Sequence, residues 1–394
     1  MAASPRFADF QAQIYEAGAQ GSPPSLPMTP EGMEELARSR MSERAYSYVA
    51  GAAGREGTAR SNLAAFDRWQ IVPRHLRSAP QRDLTTQLFG LRLPTPILLA
   101  PVGALSTVHP RAELVAAEVA AAMGIPIILS TLSGSSLEEV SAVWEQAGAG
   151  VGGFQLYWPT DREVARSLVK RAESAGYRAL VLTVDTWTLA WRPRDLALGY
   201  LPFLTGQGLA NYLSDPCFRS RLEVPPEQDP KAAISLWARI FNNPGLSWDD
   251  LKWLREQTKL PILLKGICHP DDARQAFACG ADGVIVSNHG GRQIDGARPA
   301  LDCLPEVVDA VPGQVVLFDS GIRGGSDVLK ALALGATAVL LGRPFVFGLA
   351  AAGGDGLRHV LLCLLADLDL TLGLSGHASV SDLGRDCLVR AAGT

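Results

Sequence analysis

Short apolar runs alternate along the chain with longer stretches in which apolar residues recur three and four positions apart. A short apolar run bounded by turn residues is typical of a buried strand, and the longer spacing is typical of a helix with one buried face. Several of the longer stretches begin with Ser or Asp and end with Gly, as helices do. The predicted strands are 95–101, 126–131, 153–157, 179–185, 261–267, 283–289, 315–321 and 338–344.

Eight strands that are each followed by a helix predict a TIM barrel, in which a closed ring of parallel strands is surrounded by helices. The competing fold is a doubly wound sheet, which typically has fewer strands and a Gly-x-Gly-x-x-Gly sequence after the first one. The chain has no such sequence there, and GQGLAN at 206–211 follows no predicted strand. We therefore predict one domain, with a helical cover and a hairpin-like segment over 1–90, the barrel over 91–375 with its last helix near 355–372, and a tail over 376–394.

One connection is far longer than the others. Residues 186–247 separate the fourth strand from the helix that follows it, and they are rich in Pro, Gly and aromatic residues. A connection of this length inside a compact domain is usually a functional lid or a disordered segment. Because it follows a strand, it belongs to the face of the barrel that carries active sites, and we expect a lid-like loop there.

The composition narrows the classes of function. Hydrophobic residues make up 47% of the 394 residues and charged residues 19%, which is enough apolar material for a large core. A net charge of -4 with scattered Lys and Arg argues against a nucleic acid as partner. The six cysteines lack metal-ligand spacing, the apolar stretches are too short for a membrane span, and the amino terminus lacks a secretory signal pattern. We therefore expect a cytoplasmic protein with reduced cysteines, with no metal and no membrane partner.

Polar or charged side chains follow nearly every predicted strand. The carboxyl ends of the strands lie together at one face of a TIM barrel, and the active sites of this fold are built there. Each residue alone is weak evidence, because loops are polar in any protein, but the whole set converges on one face. In chain order the set is Gly103, Ser130, Gln155, Tyr157, Thr183, Asp185, Lys265, Ser287, His289, Asp319, Arg323, Gly342 and Arg343.

Two of these strand ends predict a phosphate site. DSGIRGGSDVLKAL, from 319 to 332, places Arg323 among glycines at the start of a helix, and Gly342 with Arg343 follows the eighth strand. Glycines let backbone N–H groups approach an anion, a helix amino terminus attracts it, and guanidinium groups bind it in a bidentate manner. The alternative is that the glycines only form tight turns and the arginines are solvated. We favour the phosphate site, since TIM barrels commonly hold a phosphate after these two strands.

Other strand ends indicate what carries the phosphate. Gln155, Thr183 and Ser130 can bond to the polar edge of an amide-like ring. Lys265 can stabilise negative charge that develops during a reaction. A flat heterocycle joined to a phosphate, as in flavin mononucleotide (FMN), fits this set, whereas a sugar phosphate would not need so many groups at a ring edge.

SNHGGRQ, residues 287–293, carries the most reactive set of side chains. His289 ends the sixth strand, with Gly290 and Gly291 expected to leave room for a ligand in front of it. Arg292 can bind a carboxylate while the imidazole takes a proton, and Asp185 can orient the imidazole. A lone His-x-x-Arg is more often a turn histidine beside a surface charge, but its place at a strand end favours a catalytic base.

From about residue 30 to its carboxyl terminus, the chain resembles the FMN-dependent 2-hydroxy acid oxidases and dehydrogenases. The resemblance is carried by SNHGGRQ, by LKGI before it, and by DSGIRGGSDVLKALALGA and LGRP after it. It extends to YSYVAGAAGREGT, FQLYWPTDR and TVDTWTLAWRPRD. The resemblance implies a TIM barrel, FMN as the cofactor, and oxidation of a 2-hydroxy acid.

The resemblance also implies a role for each site residue. It makes His289 the base that acts at the α-carbon of the substrate, Asp185 the support of that base, and Lys265 the cation that stabilises the reduced flavin. It assigns the carboxylate and the hydroxyl or keto oxygen of the substrate to Tyr48, Tyr157, Arg192 and Arg292. It lines the flavin ring with Pro101, Val102, Gly103, Ser130, Gln155, Thr183 and Ser287. It places the ribityl phosphate among Asp319, Gly321, Arg323, Gly342 and Arg343.

Within the family, further features resemble the lactate 2-monooxygenases. They are NYLSDPCF in the long connection, RPRD after DTW, RPALDCLPEVV after the catalytic motif, and Gly103 where the oxidases have Ala. The resemblance thus implies that O2 oxidises a lactate-like L-2-hydroxy acid to the 2-oxo acid, with oxidative decarboxylation, in a homotetramer or homo-octamer. The alternative is a simple oxidase that releases H2O2, also from a bulkier substrate such as mandelate or a modified peptide.

Overall fold

The computed structural model describes residues 6–147 and 152–391, within which eight parallel strands close into a barrel. Each strand pairs with its neighbours along the chain, and the eighth pairs with the first, Val339 opposite Ile97. This order confirms the predicted TIM barrel. The strands are β1 (Ile97–Leu99), β2 (Ile127–Ser130), β3 (Gly152–Leu156), β4 (Ala179–Thr183), β5 (Ile262–Ile267), β6 (Gly283–Val286), β7 (Val315–Phe318) and β8 (Ala338–Leu341).

The barrel strands are apolar on both faces, because helices cover the outer face and the strands cover one another inside. Side chains alternate between the two faces of a strand, so every second residue points into the barrel. Leu99, Phe154 and Val286 belong to the large core that packs under the helices. The inner layer forms a separate cluster that includes Leu98, Ile128, Val181, Leu263, Ile285, Leu317 and Leu340.

Eight helices surround the barrel: α1 (Ala112–Met123), α2 (Leu137–Gln146), α3 (Arg162–Ser174), α4 (Trp248–Gln257), α5 (Pro270–Ala278), α6 (Ala300–Ala310), α7 (Gly325–Ala333) and α8 (Arg343–Leu374). Side chains cap several of these starts, as Ser136 does for α2 and Asp161 for α3. Helix α8 is longer than the predicted 355–372, since it begins directly after β8 with Pro344 in its first turn, where Pro is tolerated. It is kinked at Gly353, where φ is 58°.

The residues before the barrel form the expected helical cover. Its helices are Asp9–Ala19, Pro30–Arg40, Glu43–Ala50 and Gly57–Asp67. The expected hairpin joins Thr86–Leu88 to Leu91–Leu93 and packs on the inner layer of the barrel. The tail returns to the cover, where Leu388–Arg390 pairs with Trp69–Ile71. The first five residues of the predicted cover and the last three of the tail lie outside the described residues.

Residues 186–247 fold into short helices, so the long connection is a packed cover and not a disordered loop. Asn211 ties it to the barrel, because its side chain donates to Ser130 O and Thr131 O and accepts from Leu137 N–H. Its aromatic side chains Phe203, Tyr212, Phe218, Trp237 and Phe241 are buried. The helices are Pro193–Ala197, Ala210–Leu213, Pro216–Arg219 and Pro230–Phe241, with a single 3-10 turn at Pro202–Thr205.

Further single 3-10 turns lie at Leu105–Thr107, His289–Gly291, Val380–Asp382 and Arg385–Cys387. Among the described residues, no helix has the length and apolar character that crossing a membrane would require. The active site is therefore expected at the face of the barrel where the strands end and the packed cover lies.

Candidate active site

A ring of mostly polar residues lies two positions beyond the apolar inner layer. Since side chains alternate along a strand, the residue two positions after each inner Leu, Ile or Val also points into the barrel. The register makes them neighbours, with Ser130 opposite Gln155 and Thr183 opposite Lys265. The strand pattern thus builds a floor from Ala100, Ser130, Gln155, Thr183, Lys265, Ser287, Asp319 and Gly342.

A pocket opens above this floor, lined by the barrel, the helical cover and the packed cover. The predicted site residues that line it are Tyr48, Pro101, Val102, Gly103, Tyr157, Arg192, Lys265, His289, Arg292, Asp319, Gly321, Arg323, Gly342 and Arg343. The other predicted site residues do not line the pocket. Ser130, Gln155, Thr183 and Ser287 lie in the floor, and Asp185 bonds to His289 of the wall. The structure therefore brings the whole predicted set to one place.

Lys265 is a buried cation with a fixed partner. Its Nζ lies 3.1 Å from Asp319 Oδ2 and donates to Ser287 Oγ at 2.8 Å. Burial alone would lower the pKa of Lys265, but the carboxylates of Asp319 and Asp185 hold that pKa above its usual value. Asp319, expected beside the phosphate, instead pairs with the lysine. A carboxylate there would repel a phosphate, so the floor position of Asp319 suits a charge partner better than a phosphate ligand.

Buried polar atoms of the floor point to a ring-shaped ligand. Within the described residues, Gln155 Nε2 and Thr183 Oγ1 are buried without a hydrogen bond, although Gln155 Oε1 accepts from Ser130 Oγ at 3.0 Å. An unpaired buried polar group is costly, so a ligand that pairs with it is favoured. A Cβ at Gly342 would meet no atom within 4 Å, which leaves open space at the end of β8. These features fit FMN, with Gln155, Thr183 and Lys265 at the polar edge of its ring.

The far wall of the pocket carries unpaired positive charge. Neither Arg323 nor Arg343 forms an ion pair within the described residues. Burial, with repulsion from Arg292 and Arg323, lowers the pKa of Arg343 to about 9, and burial lowers the pKa of Arg323 as well. The Arg343 guanidinium donates to three backbone carbonyl oxygens, which satisfy three of its five N–H groups but carry no charge to pair with it. A buried cation without a counter-charge favours an anion, and this wall suits the FMN phosphate.

The start of α7 is not the open anion site that its glycines predicted. The N–H groups of Arg323 and Gly324 donate to Asp327 Oδ2 at 2.9 and 3.0 Å. The N–H of Gly325 donates to Asp367 Oδ2 at 2.5 Å. Carboxylates of the chain itself therefore cap this helix, so that a phosphate has to rely on the guanidinium groups and on glycines of the pocket wall.

His289 has the arrangement of a general base. Its Nδ1 lies 2.8 Å from Asp185 Oδ1 and 3.1 Å from Thr186 Oγ1, and Thr186 donates to the same carboxylate oxygen. Because Asp185 accepts, Nδ1 carries the proton and Nε2 keeps a lone pair. Burial lowers the pKa of His289 below its usual value, although Asp185 opposes this, so the imidazole is neutral at neutral pH. The predicted pairing of His289 with Asp185 is present.

The glycines beside the histidine serve packing more than ligand access. His289 has a φ of 58° and Gly290 a φ of 65°, the left-handed region that favours glycine. A Cβ at Gly291 would lie 2.5 Å from the backbone N of Ala59, and one at Gly290 would lie 2.8 Å from Arg343 Nη1. The expectation that these glycines clear space for a ligand is therefore wrong for Gly291, where a side chain would strike the helical cover. Gly290 does line the pocket, and a side chain there would strike Arg343.

Two more arginines lie on the histidine side of the pocket. Arg192 is buried, and its Nε donates to Arg292 O at 3.1 Å. The Arg292 guanidinium lies 5.2 Å from the centre of the Tyr48 ring, and its Nη1 donates to Tyr48 O at 2.7 Å. Within the described residues neither arginine has an ion pair, and burial with repulsion from Arg292 lowers the pKa of Arg192 to about 10. Two cations without an ion pair, beside a base, suit a substrate carboxylate.

The two tyrosines of this wall keep their protons. Burial raises the pKa of Tyr157 and of Tyr48 above the usual value, against the lowering effect of the neighbouring arginines. Each phenol can therefore donate a hydrogen bond to an oxygen of a ligand at neutral pH. Tyr48 was predicted only from the resemblance, whereas Tyr157 also belongs to the predicted set of strand-end residues, and the structure places both on the pocket wall.

Several apolar residues of the pocket were not predicted. Leu132, Leu189, Phe203 and Phe241 line it, and the last three come from the packed cover. The Phe203 ring meets Tyr48 edge-on at 6.1 Å, and the Phe241 ring meets Tyr157 edge-on at 5.5 Å. Only the aromatic content of the long connection indicated Phe203 and Phe241, because no strand positions them.

Two hydroxyl groups were also missed. Thr186 joins the pairing of His289 with Asp185, as described above. Ser320 Oγ donates to Asp319 Oδ1 at 2.7 Å and accepts from Gly290 N–H at 3.0 Å. Ser320 thus connects the partner of Lys265 to the turn that carries the base, a link that the sequence alone does not reveal.

The chain is similar to known proteins over nearly its whole length. Residues 37–390 match the family model of FMN-dependent dehydrogenases. The FMN-dependent alpha-hydroxy acid dehydrogenase qulF of Penicillium citrinum is 44% identical, over 98% of this chain and 96% of its own length. The L-lactate oxidase of Lysinibacillus sphaericus is 42% identical over 92% of each chain. The crystal structure of mandelate oxidase aligns with a TM-score of 0.81 at 39% identity, covering 93% of this chain and 98% of that one.

Proposed function

The chain belongs to the FMN-dependent dehydrogenase family, and on that premise we propose that it oxidises an L-2-hydroxy acid with an apolar side chain to the 2-oxo acid, with O2 as the oxidant. It is an FMN-dependent oxidoreductase of 2-hydroxy acids. The position of His289 is the observation that supports the proposed reaction. Its Nε2 has no hydrogen bond within the described residues, and it shares a pocket with Arg192 and Arg292, neither of which has an ion pair within those residues.

Each side chain of that wall has a task in the proposed reaction. Arg192 and Arg292 bind the carboxylate of the substrate and so fix which of its atoms faces the base. Tyr157 donates to the oxygen at the α-carbon. His289 Nε2 takes a proton from the substrate, and Asp185 stabilises the imidazolium that results.

The floor of the pocket supports the redox part of the reaction. FMN, when bound, would accept the two electrons and the second proton that leave the substrate. Lys265 remains protonated in its pair with Asp319 and supplies a fixed positive charge where negative charge develops. Gln155 and Thr183 offer the unpaired polar atoms that would hold the edge of the ring.

The apolar wall supports a substrate with an apolar side chain. Leu132, Leu189, Phe203 and Phe241 contribute apolar side chains to the pocket, and Phe203 and Phe241 pack against the tyrosines of its histidine side. A bound 2-hydroxy acid that directs its carboxylate to the arginines can rest its side chain on this surface. The names of the relatives L-lactate oxidase and mandelate oxidase give a small and a large substrate side chain to test.

A second candidate outcome is oxidative decarboxylation, as in a lactate 2-monooxygenase. The 2-hydroxy acid and O2 give the 2-oxo acid and H2O2, and these two, if retained together, give the acid shorter by one carbon, CO2 and water. The packing of residues 186–247 over the pocket favours such retention. The relatives named as oxidases favour release of H2O2 instead. A homotetramer or homo-octamer and a cytoplasmic location stay predictions.

The substrate class is tested by mixing the FMN-bound protein with glycolate, L-lactate and L-mandelate without oxygen. We expect the flavin absorbance to bleach, and to bleach faster with L-lactate or L-mandelate than with glycolate, because glycolate has no side chain to bury. Bleaching by none of the three would contradict the proposal. In air, L-lactate distinguishes the outcomes: equal amounts of pyruvate and H2O2 support release, whereas acetate and CO2 support decarboxylation.

A further inference from the structure

The amide of Gln293 lies between the catalytic turn and the packed cover, and we propose that Gln293 is a positioning residue that holds the Arg192 guanidinium ready for the substrate carboxylate. Its Oε1 accepts from Arg192 Nη2 at 2.8 Å. Its Nε2 donates to Asp185 O at 2.9 Å and to Thr188 O at 3.0 Å. The inference rests on the proposed function, since it assigns a carboxylate to Arg192.

The three bonds fix the orientation of the amide. A Gln side chain has two N–H donors and one acceptor oxygen, and all of them are used here. Rotating the amide by half a turn would place Nε2 against the Arg192 donor and Oε1 against two carbonyl oxygens, so that every contact would be repulsive. Gln293 therefore presents its oxygen to Arg192 in one orientation only.

Arg192 depends on this contact because it has little else to hold it. Within the described residues its two hydrogen bonds go to Arg292 O, from Nε, and to Gln293 Oε1, from Nη2, and no carboxylate pairs with it. Its neighbour Arg292 repels it, and burial with that repulsion lowers the pKa of Arg192 to about 10, although the Asp195 carboxylate attracts Arg192 from beyond ion-pair distance. A long, repelled side chain would swing away without an anchor. Gln293 keeps the two guanidiniums together before the substrate arrives, which lowers the ordering cost of binding.

Gln293 also connects the two halves of the wall. Asp185, whose carbonyl oxygen accepts from Gln293, orients His289 through its side chain. The carboxylate-binding arginine and the support of the base are thus tied to one amide. A purely structural link between the turn and the cover would have the same bonds, so the test has to separate substrate binding from stability.

The chain offers a matched control in Gln257. Its Oε1 accepts from Arg166 Nε at 2.9 Å, and its Nε2 donates to Trp253 O at 3.2 Å. Both glutamines are half-buried, but Gln257 lies in α4 and does not line the pocket. Gln257→Met therefore removes a similar bridge from an arginine that has no contact with the site.

The experiment compares Gln293→Met and Gln257→Met with the wild type, all loaded with FMN. Pyruvate and benzoylformate, two 2-oxo acids, are titrated while the flavin absorbance is followed, and KM, kcat, FMN content and Tm are recorded. A hydrogen bond to a charged group is lost in Gln293→Met, so we expect the Kd of both probes and the KM to rise at least about tenfold, with a smaller change in kcat. Gln257→Met should stay within about twofold of the wild type in Kd and KM.

A Kd within twofold of the wild type for Gln293→Met would overturn the proposal, as would an equal rise in Gln257→Met. If Gln293→Met does not fold, Gln293→Asn serves, because its shorter side chain cannot span all three partners, and the same criteria apply. Failure of the proposed function looks different: the wild-type flavin would then be reduced by no 2-hydroxy acid. A wild type that is reduced, beside a Gln293 variant with unchanged affinity, would overturn only the role of Gln293.

Discussion

Two groups of cations share the pocket, and they are held in opposite ways. Lys265 rises from β5 in the floor and pairs with Asp319 at 3.1 Å. Arg192 and Arg343 lie on the walls, bonded to carbonyl or amide oxygens, and have no ion pair within the described residues. Burial lowers the pKa of both arginines, whereas the partners of Lys265 raise its pKa.

The difference indicates that Lys265 is balanced within the fold, whereas the wall arginines are suited to bind an anionic ligand. The charge of Lys265 is balanced by Asp319 without any bound molecule. A preorganised charge of this kind can stabilise charge that develops during a reaction. The wall arginines are incomplete, because buried cations are stable only when paired. Their missing partners match the two anions of the proposed reaction, the FMN phosphate at Arg343 and the substrate carboxylate at Arg192 and Arg292.

The largest expected effect comes from breaking the complete pair. Asp319→Asn leaves Lys265 buried without its nearest counter-charge, and we expect the free energy of unfolding of the FMN-free protein to fall by about 3–5 kcal/mol. Urea unfolding measures it. The control is Glu306→Gln in the exposed pair of Arg298 with Glu306, at 2.8 Å, for which we expect no clear loss. Equal stability of the two variants would contradict the claim that Asp319 stabilises the buried charge of Lys265.

A smaller and opposite effect is expected from removing a wall cation. Arg343→Met deletes an uncompensated buried charge, so the FMN-free protein should keep its stability or gain some. Its affinity for FMN should fall at least about tenfold, because a charge-assisted contact to the phosphate is lost. Fluorescence titration of the FMN-free protein with FMN measures this affinity. Lost stability together with unchanged FMN affinity would mean that Arg343 is a structural cation.

The pH dependence sharpens the role of the neutral base. Protonated Nε2 cannot accept a proton, and burial holds the pKa of His289 below 6.5. We therefore expect kcat/KM to be level through neutral pH and to decline only below an inflexion under pH 6.5. Asp185 raises the pKa of His289, so Asp185→Asn should move the inflexion to lower pH. A pH profile that inflects above 6.5, or moves upwards in the variant, would contradict this assignment.

The floor of the site could be predicted from the sequence because it depends on strands. Strand alternation and the barrel count are local features, and together they place Gln155, Thr183, Lys265 and Ser287 at one end of one cavity. The pairing of His289 with Asp185 follows from the same reasoning, since each residue closely follows the end of a strand. The family resemblance added Tyr48, which no strand pattern could locate.

The walls could not be predicted in the same way, because contacts between distant loops create them. Asp367 caps α7 only because α8 packs beside it, and this removes N–H groups that the glycine pattern offered to a phosphate. Phe203 and Phe241 reach the pocket only because the long connection folds into helices. Gln293 stands in the most informative motif, yet its partner Arg192 lies far away in sequence.

The claim that His289 is the base is tested most directly by the rate of flavin reduction without oxygen, measured in the wild type and in His289→Gln with the 2-hydroxy acid that bleaches the wild type fastest. General base catalysis contributes about 100-fold or more, so we expect reduction to slow at least about 100-fold. FMN content and the affinity for the matching 2-oxo acid should remain, since the wall arginines are intact. Reduction of the variant at the wild-type rate would contradict the account.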